Sequence, residues 1–342
     1  MYIKIMSYKN KYIFYWLMLI TILVGLMIII GGLTRLTDSG LSITKWDLFT
    51  GIFPPINDDD WNKLFLLYKA IPEYKLVNYS MTIEQFKVIF WWEYAHRLLG
   101  RFVGIFYLVP LIYFTLKNQI KKDSLFYYYL IFILIVIQGV MGWYMVKSGL
   151  TTRTDVSHYR LALHLTLAFI IFSLIFWNLL RISNFVKKYS SKKIPFRLPE
   201  IFFLLLLLQI SVGALVSGLD AGKIYQTWPL MNSNYFPDDS NFGDLFSADV
   251  LNNPSLLQFI HRNIAYLIFS FFLLIIFVVH KEKNLNFFKK TIHIILLLLM
   301  IQILLGILTV ISGAQVLLAS THQISSIFLV LSSIYLIEKN SN

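Results

Sequence analysis

Apolar residues along this chain fall into long unbroken runs, and the polar residues gather in the gaps between them. A run of about 20 apolar residues crosses the hydrocarbon core of a bilayer as a helix, because only a helix satisfies its own backbone hydrogen bonds where there is no water. Eight such runs can be drawn, at 12–36, 86–116, 124–147, 156–181, 199–219, 255–280, 290–312 and 316–337. They predict an all-α polytopic membrane protein with eight transmembrane helices. A mean hydropathy of +0.67 and only 14% charged residues among 342 leave no soluble globular alternative. The first run follows a basic start (Lys4, Lys9, Lys11) but lacks a small-x-small cleavage site, so it reads as a retained helix. No Arg- and Ser-rich transit segment precedes it, which points to a bacterial protein.

The net charge of +12 would suggest nucleic acid in a soluble protein, but its distribution points to topology and to no nucleic-acid partner. Basic residues cluster in alternate connections: Lys117, Lys121 and Lys122; Arg181, Lys187, Lys188, Lys192, Lys193 and Arg197; Lys281, Lys283, Lys289 and Lys290. The positive-inside rule makes these loops and both termini cytoplasmic. The opposite side carries Asp58, Asp59 and Asp60 in one loop and Asp238, Asp239, Asp244 and Asp249 in another. Cysteine is absent, which excludes disulfides and thiolate ligation.

The chain reads as a duplication. In GGLTRLTDSGLSITKWDL from Gly31 and GALVSGLDAGKIYQTWPL from Gly213, a constant offset pairs Gly31 with Gly213, Asp38 with Asp220 and Trp46 with Trp228. EYAHR from Glu93 matches QFIHR from Gln258, and QGVMGWYMVKSG from Gln138 matches QILLGILTVISG from Gln302. Both repeats start on the cytoplasmic side, so two parallel-repeat four-helix bundles are expected: residues 1–183, with an outer loop at 37–85, and residues 199–342, joined by a cytoplasmic linker at 184–198. The outer loop contains WNKLFLLYK, a short amphipathic surface helix. It would serve as a lid over a site or as a plain spacer. Thr82 and Gln85 have capping-box spacing.

His96, His164, His261 and His322 each lie inside an apolar run, as two pairs in the two repeats and all toward the outer face. An imidazole in a membrane helix is costly without a partner, and four at matching depth point to haem iron ligation. A single membrane histidine more often hydrogen-bonds across helices; the matched pairs reverse that reading. Arg97 and Arg262 follow a ligand position in each repeat and would pair with haem propionates or snorkel to the interface. Trp46 and Trp228 would pack on haem edges or join the interfacial aromatic belt. Gly139, Gly142, Gly306 and Gly313 permit close approach of a helix or a macrocycle. His158 reads as a solvated residue of an outer connection, and His280 and His293 as interfacial residues at the cytoplasmic boundary. The departure from symmetry is Glu93, whose counterpart is Gln258. Three residues before His96, its carboxylate shares a face with the imidazole, which makes one repeat a candidate catalytic unit.

GGLTRLTDSGLSI, EYAHRLLGR, QGVMGWYMVKSGL, YRLALHL and the HR and THQ motifs, in this order over nearly the whole chain, resemble the haem A synthase family. The lack of cysteine is similar to the class found in alphaproteobacteria and mitochondria. The resemblance implies oxidation of the C8 methyl of haem O to a formyl group, for cytochrome oxidase assembly, in a bacterial inner membrane. It implies haem O between His96 and His164, a haem b held by His261 and His322, and Glu93 as the essential carboxylate. Partners it brings into view are membrane lipid, a haem O synthase, an electron donor and a second copy of the chain. A di-haem b electron-transfer subunit explains the histidines equally well but gives Glu93 no reason to differ from Gln258. A repeat-built transporter explains the duplication alone.

Overall fold

The computed structural model describes residues 8–46, 50–183 and 192–341. Most of the predicted linker and the basic residues Lys4, Lys187 and Lys188 lie outside them. Ten α-helices are present among the described residues: α1 (Tyr8–Leu36), α2 (Asp58–Lys69), α3 (Pro72–Leu76), α4 (Ile83–Leu116), α5 (Lys122–Thr152), α6 (His158–Ser183), α7 (Leu198–Gly218), α8 (Pro254–Lys281), α9 (Lys289–Ile311) and α10 (Val316–Ser341). Eight of them are long and apolar enough to cross a membrane, which makes this a multi-pass membrane protein. They coincide with the eight predicted runs to within a few residues. No strand occurs among the described residues beyond one isolated bridge between Met231 and Asn234.

Helix ends follow from local chemistry. α4 opens with the predicted capping box: Gln85 N donates to Thr82 Oγ1 (3.3 Å) and Thr82 N to Gln85 Oε1 (2.9 Å). Asn57 caps α2 by accepting from Asp60 N at 2.8 Å, and three aspartates in its first turn complement the helix dipole. α8 starts at Pro254, with the Asn253 side chain accepting from Leu256 N.

Among the first four spanning helices, α1 packs on α4 and α6, and α5 packs on α4 and α6; among the last four, α8 packs on α7 and α9, and α10 on α7 and α9. The two sets meet where α6 lies on α7 and α10 lies on α1 and α6. The largest buried cluster joins Trp16, Leu17, Ile20, Tyr107, Phe169, Phe172 and Ile334 across that seam. A second fills the space between α7, α8, α9 and α10 around Phe202, Phe272, Ile292 and Ile295.

The described part of the segment between α1 and α4 is folded onto the first set. α2 buries Trp61, Phe65 and Tyr68 against Phe86 and Phe90 of α4, with Leu41 and Tyr94 in the same cluster. The predicted amphipathic helix therefore exists, and its apolar side faces protein.

Candidate haem site

His96 on α4 and His164 on α6 face each other, with ring centroids 6.4 Å apart and planes inclined at 72°. Two metal–nitrogen bonds of about 2 Å each place the imidazole centroids of a bis-histidine haem roughly 6 Å apart, so this pair fits that ligation. His261 on α8 and His322 on α10 occupy the matching positions in the last four helices.

A glycine lies behind every one of the four rings. A Cβ at Gly31 would lie 3.0 Å from His96 Nε2, one at Gly142 3.2 Å from His164 Cε1, one at Gly213 3.0 Å from His261 Cε1 and one at Gly306 3.0 Å from His322 Cε1. A Cβ there would press each imidazole back by a few tenths of an ångström, so these glycines serve close approach of the rings and not a special backbone conformation. Of the expected close-approach glycines, Gly142 and Gly306 serve histidines. Gly139 has nothing within 4 Å, and Gly313 adopts φ +68° beside Gln226.

Three of the histidines are also gripped by a glutamine on the preceding spanning helix. Gln138 Nε2 donates to the carbonyl of His164, Gln209 Nε2 to that of His261 and Gln302 Nε2 to that of His322, each at 3.0 Å. The Oε1 atoms of Gln138 and Gln209 and the Nδ1 atoms of His164 and His261 are buried with no partner of their own. His322 Nδ1 lies 3.1 Å from the main-chain oxygen of Gln302. A metal-bound imidazole needs an acceptor for its second nitrogen, and these carbonyls supply the type. Aligned motifs pair Gln138 with Gln302 without giving either a role; the recurrent Gln-x-x-x-Gly spacing at 138–142, 209–213 and 302–306 is the signal that marks them.

Glu93 is 2% exposed and fully engaged. It accepts from Ser42 Oγ and Ile43 N at 2.7 Å each, and from Arg97 Nε at 3.0 Å and Nη2 at 2.5 Å. Four donors fill the lone-pair sites of the carboxylate. Arg97 in turn donates to the carbonyls of Ile43 and Lys45 and carries the Trp46 ring 4.8 Å from its Cζ. The pair thus fastens the segment after α1 onto α4.

The same join exists in the last four helices without the carboxylate. Gln258 Nε2 and Arg262 Nη2 both donate to the Tyr225 carbonyl, and Arg262 Nη1 to that of Leu230. Tyr225 is the counterpart of Ile43 at the offset that pairs Gly31 with Gly213. Trp228 donates to Tyr266 Oη, away from its arginine.

A pocket of about 220 Å³ opens beside the clamp, lined by Lys45, Arg97, Lys147, Trp46 and Trp143 among others. Three cations and two indoles suit an anionic group on a flat apolar body. His158 departs from expectation: it is 6% exposed, because it begins α6 with its Cα and Cβ pressed on Gly218 of α7. His280 and His293 sit together, with ring centroids 5.2 Å apart. Among the described residues no three of His, Asp and Glu gather as they would around a bare metal ion.

Comparison with known proteins adds a family and relatives. Residues 14–334 match the model of the cytochrome oxidase assembly protein family. The chain is 52% identical over 340 residues to a haem A synthase of Pelagibacter ubique, covering 97% of each. It is 40% identical over 317 residues to one of Rickettsia felis, covering 92% of this chain and 94% of the relative. To one of Rickettsia prowazekii it is 41% identical over 328 residues, covering 95% and 98%.

Proposed function

Since the chain belongs to the cytochrome oxidase assembly protein family, we propose that it is a haem A synthase, an oxidoreductase that converts the C8 methyl of haem O to a formyl group by successive hydroxylations and loss of water. The observation that carries this reading is the asymmetry between the two histidine pairs. Both have facing helices, glycines and arginines, but only the pair His96 and His164 has a buried carboxylate, paired with an arginine, one helical turn from a ligand position.

In this reading residues 1–183 form the substrate unit and residues 199–342 the electron-transfer unit, with residues 184–198 as a cytoplasmic linker. His96 and His164 hold haem O, and His261 and His322 hold a haem b. A haem with two imidazole ligands exchanges single electrons and offers no open position for oxygen chemistry, which suits the second unit. Glu93 supplies charge and position. It fixes Arg97 and the segment at residues 42–46, and its anion sits in low-dielectric surroundings where it favours developing positive charge. Arg97, Lys45 and Lys147 receive the propionates at the outer mouth of the first unit, and Arg262 does so in the second. The supporting observation is the cation-lined pocket. Both termini lie in the cytoplasm of a bacterial cell and the haems lie toward the outer face of the inner membrane, a reading supported by the clusters of lysine in alternate loops. A lipophilic substrate enters laterally, which favours hand-off from a haem O synthase.

Extraction and chromatography of the haems from purified protein, expressed with and without a haem O synthase, tests the reading. Haem b alone without the synthase, and haem O, its hydroxylated form or haem A with it, is the expected result. Haem b in both preparations would move the chain to the electron-transfer class, and no haem in either would leave the histidines without the role assigned to them.

A further inference from the structure

The seam between α4 and α5 is closed at its inner end and open above. At the inner end Tyr107 of α4 stacks on Phe132 of α5, with ring centroids 6.4 Å apart and planes inclined at 8°, and Tyr107 Oη donates to the Tyr128 carbonyl at 3.0 Å. At the outer end Arg97 of α4 and Trp143 and Val146 of α5 line the pocket of about 220 Å³. Between these ends stand two glycines. On α4, Gly104 lies about two turns below Arg97 and one turn above Tyr107; on α5, Gly139 lies about two turns from both Phe132 and Val146. The helical repeat therefore turns both into the seam, over a drop of about 15 Å from Arg97 to Tyr107. A Cβ built at either meets nothing within 4 Å. Gly139 is exposed and Gly104 half-buried, so the space opens sideways onto the bilayer.

The second unit fills the same place. At the offset that pairs His96 with His261, Gly104 corresponds to Phe269, and at the offset that pairs Gln138 with Gln302, Gly139 corresponds to Ile303. Both side chains pack against the core between α7, α8, α9 and α10. Two positions on different helices thus change together, from no side chain to a large one, between units whose histidines and cradle glycines agree.

Haem O and haem b differ in an isoprenoid tail that haem O alone carries. We infer that the seam between α4 and α5 receives this tail, which runs inward from the pocket at Arg97 past Gly139 and Gly104 to the rings of Tyr107 and Phe132, and that Phe269 and Ile303 exclude it from the second unit. The inference rests on the reading of His96 and His164 as the substrate pair and adds specificity-determining positions to it. Space makes the choice, because a tail in lipid is already out of water and gains little by moving between helices. A haem with both propionates outward can face two ways, which exchange its C8 and C5 methyls. A tail held on the α5 side permits one of them, so the space that selects the substrate also selects the methyl.

Quantitation of the haems extracted from purified variants, co-expressed with a haem O synthase, tests this. Gly104→Phe combined with Gly139→Ile should retain the haem b of the second unit and lower haem O and haem A together at least tenfold. Val109→Phe, which adds the same bulk at an exposed position of α4, should match the parent. In the opposite sense, Phe269→Ala combined with Ile303→Ala should admit haem O to the second site and raise the share of tailed haem above that of the parent. This opened variant decides the matter if the closed one does not fold, and the closed one decides if the opened one does not. Parental haem O in the closed variant, a loss in Val109→Phe equal to that in the closed variant, or haem b alone at the second site of the opened one overturns the inference. A His96→Ala, His164→Ala double variant separates the two levels: if it retains haem O, the site reading itself falls, whereas its loss of haem O beside a closed variant that keeps it removes the tail seam alone.

Discussion

A buried carboxylate survives in a membrane protein only if it is neutral or fully paired, and Glu93 and Glu73 exemplify the two cases. Glu93 has four donors, so replacing it by glutamine leaves the Arg97 guanidinium buried without its counter-ion. Breaking such a pair costs about 3–5 kcal/mol. Glu93→Gln should therefore lose haem A formation, retain the haem of the second unit, and unfold at lower temperature in a detergent melt. Survival of the melting temperature would show that Glu93 acts on the chemistry alone. Glu73 in α3 is buried, with Oε2 unpartnered. Burial first, and then the charges of Glu93, Asp155 and Asp38, push its carboxyl up to about 8 against a lowering contact from Tyr68. The unfolded chain releases this proton near 4.5 and the folded chain only near 8, so the folded state holds more protons between those values and loses stability as pH rises through that window. Above about 8 the loss is complete. Melting temperatures from pH 5 to 9 should show this slope in the parent and not in Glu73→Gln. The contrast between Glu93 and Gln258 was legible in the sequence. The partners of Glu93 were not, because Ser42 and Ile43 stand some fifty positions away and nothing local marks them as donors.

At the scale of elements, long apolar runs fix the spanning helices because length and hydropathy alone decide them. α3 was not legible: five residues carry no periodicity, and it exists because Pro72 starts a turn that Tyr68, Tyr74 and Phe65 pack around. The surface placement expected for α2 missed a partner for its apolar side, which α4 provides through Trp61 and Phe65. Trp61→Ala should cost about 3–5 kcal/mol locally. It should appear as faster proteolysis within residues 55–78, with the spanning helices still protected. If haem oxidation stays intact when α2 is loosened in this way, the segment is a spacer and not a lid.

For the whole molecule, the join between the two sets of helices depends on close approach. A Cβ at Gly218 would lie 2.6–2.7 Å from the Cβ and Cα of His158, where main chain cannot move aside. A Cβ at Gly32 would meet first the side-chain amide of Gln323, the movable end of a flexible side chain, which donates to the Ile28 carbonyl. Gly218→Ala should therefore cost about 1–3 kcal/mol through overpacking, and Gly32→Ala about 1 kcal/mol, the worth of one hydrogen bond. The order of the two melting temperatures checks this, and Gly32→Ala melting first would contradict it. Arg35 also bridges the join, donating to Ser217 O at 2.8 Å and pairing with Asp220 at 3.5 Å. Matching motifs could be aligned in the sequence, but which helices touch across the join could not be read there, since α1, α6 and α7 look no less lipid-like than their neighbours.

The clamp between Glu93 and Arg97 has a bearing on how this protein matures. An ion pair and a set of packed rings close the segment after α1 onto α4, and the chain contains no cysteine. This region therefore reaches its working shape without an oxidant, makes no demand on the cell's thiol-oxidising machinery, and stays closed when the surroundings turn reducing.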